Sequence, residues 1–278
     1  MSGGADRMNG YFSARDLAMH FGGIRAVEGV SFDVRQGEVF SIIGPNGAGK
    51  TTIFNMISRI YTPSAGSLHF AGQDITNIAP HKIAGLGIAR TFQNIELFAN
   101  ASLLQNLLIG RHCHSTVPIL SQLVFLPSVR RAEVEHRRRA EEVIEFLGLQ
   151  RYRDQLIANL PYGVRKVVEL ARALCTEPKL LLLDEPSSGL NVEETEEMAF
   201  WIEDITKDLG ITIIMVEHDM KLVTAVSDRV MALNQGSILA MGTSAEVQSD
   251  PEVIRAYIGG EPEPTSDSAA GAAPGDVP

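Results

Sequence analysis

The sequence predicts an α/β fold, and three observations support this prediction. Short apolar runs alternate with amphipathic stretches along most of the chain, as expected when strands alternate with helices. One β-prone run, Val39–Ile43, leads through a glycine-rich loop into a predicted helix, Lys50–Arg59. Two further apolar runs, Leu180–Leu183 and Ile211–Val216, have the length of buried strands. They flank a segment that we predict to be a helix, Glu193–Lys207.

Composition narrows the class of protein. The chain has 278 residues, of which 45% are hydrophobic and 21% charged, as in ordinary globular proteins. A formal net charge of -10 argues against a general attraction to nucleic acid, which requires a basic face. No signal-type segment stands at the N-terminus, and no apolar run approaches the ~20 residues that span a bilayer. We therefore expect any work at a membrane to depend on partner subunits.

The middle and the end of the chain differ from the rest. Helical patterns dominate between roughly Gln93 and Leu160, and Arg130–Leu147 carries Glu and Arg at i,i+4 spacing. We interpret the three consecutive arginines 137–139 as a solvated helix face, with a contact to lipid headgroups or a partner loop as the alternative. Residues 261–278 are mainly Pro, Ala, Gly, Ser and acidic residues, which predicts a disordered tail.

The glycine-rich loop Gly44–Thr51 fits the pattern G-x-x-x-x-G-K-[ST] between a strand and a helix. Its small residues allow backbone N–H groups to point at phosphate oxygens, and the following helix adds its positive N-terminal end. Lys50 can reach the β- and γ-phosphates, the Thr51 hydroxyl can ligate Mg²⁺, and Thr52 can add a phosphate contact. The predicted nucleotide-binding residues of the loop are Asn46, Gly47, Ala48, Gly49, Lys50, Thr51 and Thr52.

Two acids and a histidine follow the next predicted strands. Asp184 and Glu185 end the leucine-rich run, so Asp184 can hold the Mg²⁺ shell and Glu185 can act as general base toward water. His218 follows the Ile211–Val216 strand, where an imidazole could contact the γ-phosphate. The loop alone would also suit a small-molecule kinase or a GTPase, but His218 and the spacing from Leu160–Val164 to Asp184 argue against both.

These motifs, in this order, resemble the nucleotide-binding domain of ABC ATPases over residues 11–259. The resemblance implies an α/β P-loop NTPase fold with a mixed sheet core, an N-terminal antiparallel β part and an inserted α-helical subdomain at about residues 94–165. It further implies that Phe21 stacks on adenine and that Gln93 reaches the metal and the lytic water. Leu160–Val164 stands at the family's signature motif, and Ser188–Asn191 at its D-loop.

Several segments look like the ATPases of branched-chain amino-acid importers: Phe21–Gly23, Arg90–Gln93, Glu185–Asn191, Val216–Met220 and Ile254–Gly259. Such ATPases work with two membrane permeases, a second related ATPase and an external binding protein. The resemblance therefore implies ATP and Mg²⁺ as cofactors and a peripheral location at the cytoplasmic face of the cell membrane. An exporter, an importer of urea or amides, and a soluble ABC ATPase of DNA repair or translation are the alternatives. The soluble class is disfavoured because the chain has a single domain and no sustained heptad pattern.

The signature segment departs from the usual Leu-Ser-Gly-Gly-Gln. Pro161 replaces Ser, Tyr162 replaces Gly and Val164 replaces Gln, whereas Gly163 is retained. In the family this motif contacts the ATP of the opposite subunit, so Pro161, Tyr162 and Gly163 are predicted to lie at that nucleotide. Because proline has no N–H to donate, we expect the site completed by this segment to be the weaker one. Such asymmetry favours a heterodimer with a second ABC ATPase, and a homodimer stays open.

Overall fold

The computed structural model describes residues 10–91, 95–111 and 127–258. The strands found there form two sheets, and the helices cover the faces of the larger one. The strands are β1 (Phe12–Phe21), β2 (Ile24–Val34), β3 (Val39–Ile43), β4 (Ala65–Phe70), β5 (Gln73–Asp74), β6 (Ile88–Arg90), β7 (Leu180–Asp184), β8 (Thr212–Val216), β9 (Arg229–Asn234) and β10 (Ser237–Gly242). The α/β prediction is confirmed.

The helices predicted at Lys50–Arg59, Arg130–Leu147 and Glu193–Lys207 are present, and their bounds differ from the predicted ones by at most three residues. Their bounds are α1 (Lys50–Ile57), α2 (Leu103–Gly110), α3 (Pro127–Phe146), α4 (Tyr162–Leu174), α5 (Val192–Lys207), α6 (Met220–Val226), α7 (Ser244–Ser249) and α8 (Pro251–Ile258). Helix α5 begins with a capping box in which Asn191 and Glu194 each bind the other's backbone N–H. Helix α1 ends two residues earlier than the sequence predicted, at Ile57.

The smaller sheet is antiparallel and has the order β2-β1-β4-β5. Strands β1 and β2 form a hairpin whose turn contains Gly22 with φ +59, a conformation that glycine adopts without strain. The antiparallel part expected near the N-terminus is therefore present.

The larger sheet is mixed and has the order β10-β9-β3-β8-β7-β6. Strand β3 pairs in parallel with β8 and β9, and β7 pairs in parallel with β8 and β6, whereas only β10 runs antiparallel to its neighbour β9. The carboxyl ends of β3, β7 and β8 consequently meet at one edge. In open α/β sheets ligands bind at this edge.

Alternate residues of the mixed sheet face two separate cores. Phe40, Ile42 and Leu182 belong to the core that is shared with the antiparallel sheet and α1. Val39, Ile43 and Leu183 belong to the core that is shared with helices α2 to α5. Both faces of these strands are buried, which explains why they read as continuous apolar runs.

Helices and short 3-10 turns are the elements of the described residues from 103 to 174. The division into a domain at 11–259 with an inserted helical subdomain at about 94–165 stays a prediction. Arginines 137–139 are exposed on α3, and Arg138 and Arg139 pair with Glu135 and Glu142. The predicted tail at 261–278 lies outside the described residues. Among those residues, no helix has both the length and the apolar character that a membrane span requires.

Candidate functional site

The glycine-rich loop follows β3 at the carboxyl edge of the mixed sheet and leads directly into α1. Gly44 and Gly49 have φ of +152 and +101, and a Cβ atom would lie 2.3 Å from the Leu233 carbonyl oxygen at Gly44 and 2.7 Å from the Ala26 carbonyl oxygen at Gly49. A larger residue at either position would displace the loop from the strands beneath it. Gly236 N–H donates to the Ala48 carbonyl (3.0 Å) and holds the loop from the β9–β10 turn.

Lys50 lies inside this loop. Its ammonium donates to the carbonyl oxygens of Gly44 (2.6 Å) and Pro45 (3.0 Å), and the residue is only 7% exposed. Burial lowers the pKa of Lys50, and the negative charges of Glu185 and Asp184 partly oppose this shift. Among the described residues, the charge of this buried cation is offset by loop carbonyls and nearby carboxylates. Such a cation can bind a polyanion such as a nucleotide phosphate.

The remaining loop residues differ in their exposure. Asn46, Gly47 and Thr51 are exposed, Thr52 is half-buried, and Ala48 is buried. A Cβ on Gly47 would meet nothing within 4 Å, so the space in front of this residue is open. The loop therefore offers its backbone and the Thr51 hydroxyl to a ligand on its outer side.

Asp184 ends β7 and is 4% exposed. Its Oδ2 atom accepts a hydrogen bond from the Arg90 guanidinium at 2.7 Å, and its backbone N–H donates to the Thr91 hydroxyl at 3.3 Å. One carboxylate oxygen is thus held by arginine, and the negative charge of the same carboxylate raises the pKa of Lys50 against the lowering that burial causes.

Glu185 and His218 lie at the ends of neighbouring strands. The Nδ1 atom of His218 is 4.0 Å from Oε1 of Glu185, with side-chain exposures of 58% and 20%. Glu185 has φ +49, which is uncommon for a residue with a side chain, and its N–H donates to the Val216 carbonyl of β8 (2.9 Å). The structure therefore brings together the predicted base and the predicted histidine.

Glu217, to which the sequence reasoning gave no role, connects the loops that carry these residues. It is fully buried, and its Oε1 atom accepts from the Ser187 N–H (2.8 Å). Its Oε2 atom accepts from the N–H groups of His218 (2.8 Å) and Asp219 (3.2 Å). The sequence signal was an acid directly after a buried strand, the same signal that identified Asp184.

The signature segment contacts the chain's own D-loop. The Tyr162 hydroxyl donates to the Ser188 carbonyl (3.2 Å), and a Cβ on Gly189 would lie 2.8 Å from Cε1 of Tyr162. A Cβ on Gly163 would lie 2.2 Å from Oε1 of Glu194, so this carboxylate sits at the start of α4. Pro161 and Tyr162 are exposed, and α4 begins directly after Pro161.

Three further residues are relevant to the site: Phe21, Tyr257 and Gln93. The Phe21 ring is 42% exposed and packs edge-to-face on Tyr61, with centroids 5.3 Å apart. Tyr257 of α8 reaches the Gly44 backbone, and burial raises the pKa of this tyrosine while Gly44 partly lowers it. Gln93, the predicted contact to metal and water, lies outside the described residues.

A family model for the ABC transporter matches residues 27–188, which include the phosphate loop, the signature segment and both acids. The chain belongs to the ABC transporter family. A second model, described as the branched-chain amino acid ATP-binding cassette transporter, matches residues 237–263 of this ABC ATPase.

The alignments with curated relatives extend over most of this chain. A high-affinity branched-chain amino acid transport ATP-binding protein of Pseudomonas aeruginosa is 40% identical over 243 residues, which is 87% of this chain and 95% of the relative. The protein of the same description from Salmonella typhimurium is 41% identical over the same shares of the two chains. A more distant relative, from Archaeoglobus fulgidus, is 33% identical over 249 residues, or 89% of this chain and 95% of the relative.

Solved structures agree with the fold. The ADP conformation of MJ1267, an ATP-binding cassette of an ABC transporter, superposes with a TM-score of 0.79 at 33% identity and covers 90% of this chain and 98% of that one. A nucleotide-free cassette superposes with a TM-score of 0.78 at 32% identity and covers 89% of this chain and 98% of that one. The expected ABC ATPase fold is confirmed, and the chain is an ATPase subunit that binds nucleotide and serves a transport system.

Proposed function

We propose that this ABC ATPase powers an importer of branched-chain or related amino acids. The observation that carries the proposal is the match of residues 237–263 to the branched-chain family model. This segment contains β10, α7 and α8, and Tyr257 of α8 lies against the phosphate loop. The part of the chain that resembles this transporter class therefore lies beside the loop that would hold ATP.

The phosphate loop is the part that would hold ATP. Lys50 would exchange its two carbonyl partners, 2.6 and 3.0 Å away, for the β- and γ-phosphates, and the N-terminal end of α1 would add positive potential. The adenine would stack on the exposed face of Phe21 beside Tyr61. Thr52 and the N–H groups of residues 46–49 would complete the cradle.

The residues present also fit Mg²⁺, because a hydroxyl and a carboxylate are the ligands that this ion prefers. Thr51 and Asp184 would hold the ion, together with Gln93, and Mg²⁺ would neutralise charge on the phosphates during transfer to water. Glu185 would accept a proton from that water, and His218, 4.0 Å from Glu185, would contact the γ-phosphate.

A second ABC ATPase would complete each nucleotide site. In this arrangement Pro161, Tyr162 and Gly163 face the partner's ATP across the interface. The Ser188 and Tyr162 contact joins the D-loop to the signature segment within one chain, so both would move together when the dimer closes. ATP binding would close the dimer and hydrolysis would open it.

A groove of about 420 Å³ supports the proposed permease partners. It lies between the end of α1, the 3-10 turns Pro80–Lys82 and Ala84–Leu86, the end of α2 and the C-terminal half of α4, and its walls are mainly apolar. Ile60, Ile83 and Ile109 supply apolar surface, and Arg172 and Glu169 supply charge. Two permeases, one for each ATPase, would insert a cytoplasmic segment here and would place the subunit at the inner face of the membrane. An external binding protein would deliver the substrate.

The test is to capture the whole assembly in its ATP-bound state. Glu185→Gln keeps the size of the side chain but removes the base, so ATP binding is retained and the closed state persists. The tagged variant is purified from native membranes with Mg-ATP, and the co-purifying chains are identified by mass spectrometry. Lys50→Ala, which removes the phosphate ligand, is the matched control and should not retain the closed assembly.

Two multi-span permeases and a second ATPase, together with uptake of leucine, isoleucine or valine by vesicles that contain them, would support the proposal. Recovery of permeases that transport only urea or amides would show that the substrates are these compounds and not amino acids. Recovery of soluble partners alone would reject the transport function of this chain.

A further inference from the structure

Arg90 occupies a buried position next to the predicted metal site. It ends β6, and its Nη2 atom donates to Oδ2 of Asp184 at 2.7 Å. The two side chains are 8% and 5% exposed, so this ion pair is screened very little by water. This short, charge-assisted hydrogen bond therefore holds the orientation of the Asp184 carboxylate.

The other arm of the same guanidinium binds helix α1. Nη1 donates to Oδ1 of Asn55 (2.7 Å) and to Oγ of Ser58 (2.9 Å), and the group lies 5.6 Å from the centroid of the Phe54 ring. The planar guanidinium donates from separate nitrogens in fixed directions, whereas a lysine would donate from a single atom. Arg90 thereby links strand β6, helix α1 and the acid of β7.

The groove proposed for the permease has Arg90 and Ser58 in its wall. One guanidinium therefore contacts Asp184 with one nitrogen, and with the other it contacts a residue of the groove wall. A segment that enters the groove and displaces Ser58 would change the hydrogen bonds of Arg90, and through them the carboxylate that would face Mg²⁺.

We propose that Arg90 is a positioning residue that orients Asp184 for Mg²⁺ and couples this orientation to occupancy of the groove. The coupling half rests on the proposed function, whereas the positioning half concerns the isolated chain alone. Groups that orient metal ligands typically change metal affinity about 10- to 100-fold when they are removed. Since the coupling is a difference in binding free energy, the permease should change Mg²⁺ affinity as much as Mg²⁺ changes permease affinity.

The first experiment uses the isolated full-length chain. Binding of a fluorescent ATP analogue is titrated with Mg²⁺ for wild type, Arg90→Gln and Arg90→Lys, and thermal unfolding checks that each variant is folded. We expect the half-saturating Mg²⁺ concentration to rise about 10-fold in Arg90→Gln, with nucleotide affinity in EDTA unchanged. Arg90→Lys should recover part of the loss because it retains the charge.

Two further variants keep this test decisive. Asn55→Ala removes one acceptor of Arg90 but retains the ion pair between Arg90 and Asp184. It should shift the Mg²⁺ titration in the same direction by a smaller factor, and it can be measured even if Arg90→Gln does not fold. Lys207→Gln, which removes an exposed ion pair with Glu203 on α5, should leave the titration unchanged. If Arg90→Gln folds and its Mg²⁺ titration is unchanged, the positioning role is overturned. If Arg90→Gln does not fold, an unchanged titration in Asn55→Ala overturns it instead.

The second experiment tests the coupling in the assembled transporter. Permeases should shift the half-saturating Mg²⁺ concentration of wild type, and Arg90→Lys should reduce this shift while permeases still bind. An equal shift in both proteins overturns the coupling. If the chain binds no permease, the proposed function fails, and the titration of the isolated chain still decides whether Arg90 positions Asp184.

Discussion

At the scale of single residues, Glu217 determines how the loops after β7 and β8 are placed relative to each other. Its buried carboxylate accepts from three backbone N–H groups, one on the loop after β7 and two on the loop after β8. Such a carboxylate fixes the backbone beside both Glu185 and His218. The separation of 4.0 Å between those two side chains therefore depends on a residue that contacts neither water nor nucleotide in the proposed mechanism.

We predict that Glu217→Gln lowers both stability and turnover. The amide has nearly the same shape, but its NH₂ group faces backbone donors and leaves at least one of them unpaired, which costs about 1–3 kcal/mol. Urea unfolding measures this loss, and kcat should fall with little change in KM for ATP. Glu203→Gln, which removes an exposed ion pair with Lys207, is the control and should change neither quantity. Unchanged kcat in Glu217→Gln would show that the loops hold their positions without the carboxylate.

The site residues that the sequence identified belong to local motifs. Lys50 belongs to a glycine-rich loop, and Asp184 and Glu185 end an apolar run. Their neighbours in sequence are therefore enough to identify them as site residues. The roles of Arg90 and Glu217 could not be assigned in this way, although Glu217 also follows an apolar run, because each connects to a group far away in sequence, at Asp184 and at Ser187. Only the pairing of β6, β7 and β8 in one sheet brings these groups together.

At the scale of elements, the sequence predicted the strands of the mixed sheet better than those of the antiparallel one. Strands buried on both faces read as apolar runs, whereas β1 pairs with β2 and β4 through several register shifts. Such bulges interrupt the period of two on which strand prediction depends. The antiparallel arrangement of these strands was accordingly expected from the family resemblance.

The contact between the start of α4 and the D-loop depends on a glycine. Gly189 has φ +79, and the Tyr162 ring lies where its Cβ would be, 2.8 Å from Cε1. A side chain at this position would therefore be strained in its backbone and would also push Tyr162 away. The Ser188 carbonyl would then lose the hydroxyl that donates to it.

We predict that Gly189→Ala is more destabilising than Gly210→Ala. Gly210 also has positive φ, at +66, but nothing lies within 4 Å of its Cβ position, so this control measures the backbone strain alone, about 1–2 kcal/mol. Urea unfolding of both variants gives the difference. Gly189→Ala combined with Tyr162→Ala should recover part of the loss, since the clash is then absent. Equal costs for Gly189→Ala and Gly210→Ala would contradict a close contact between the ring and the D-loop.

At the scale of the whole molecule, the mixed sheet gathers the proposed nucleotide site at one edge, and α4 presents the signature segment elsewhere. The start of α4 is poorly equipped to bind a phosphate. Pro161 has no N–H to donate, and the Glu194 carboxylate already occupies the space next to Gly163. A carboxylate is favourable at the positive end of a helix, but it repels the phosphate that this end would otherwise attract.

The two sites of a heterodimer should consequently hydrolyse ATP at different rates. The chain's own Lys50, Asp184 and Glu185 would be completed by the intact signature of a second ATPase, whereas the partner's nucleotide would face Pro161 and Gly163. In the reconstituted complex, Glu185→Gln should lower the steady-state rate about 100-fold or more, as expected for a lost general base. The equivalent substitution in the second ATPase should leave most of the activity. Equal residual rates for the two single variants would show that the departed signature supports hydrolysis as well as the usual one.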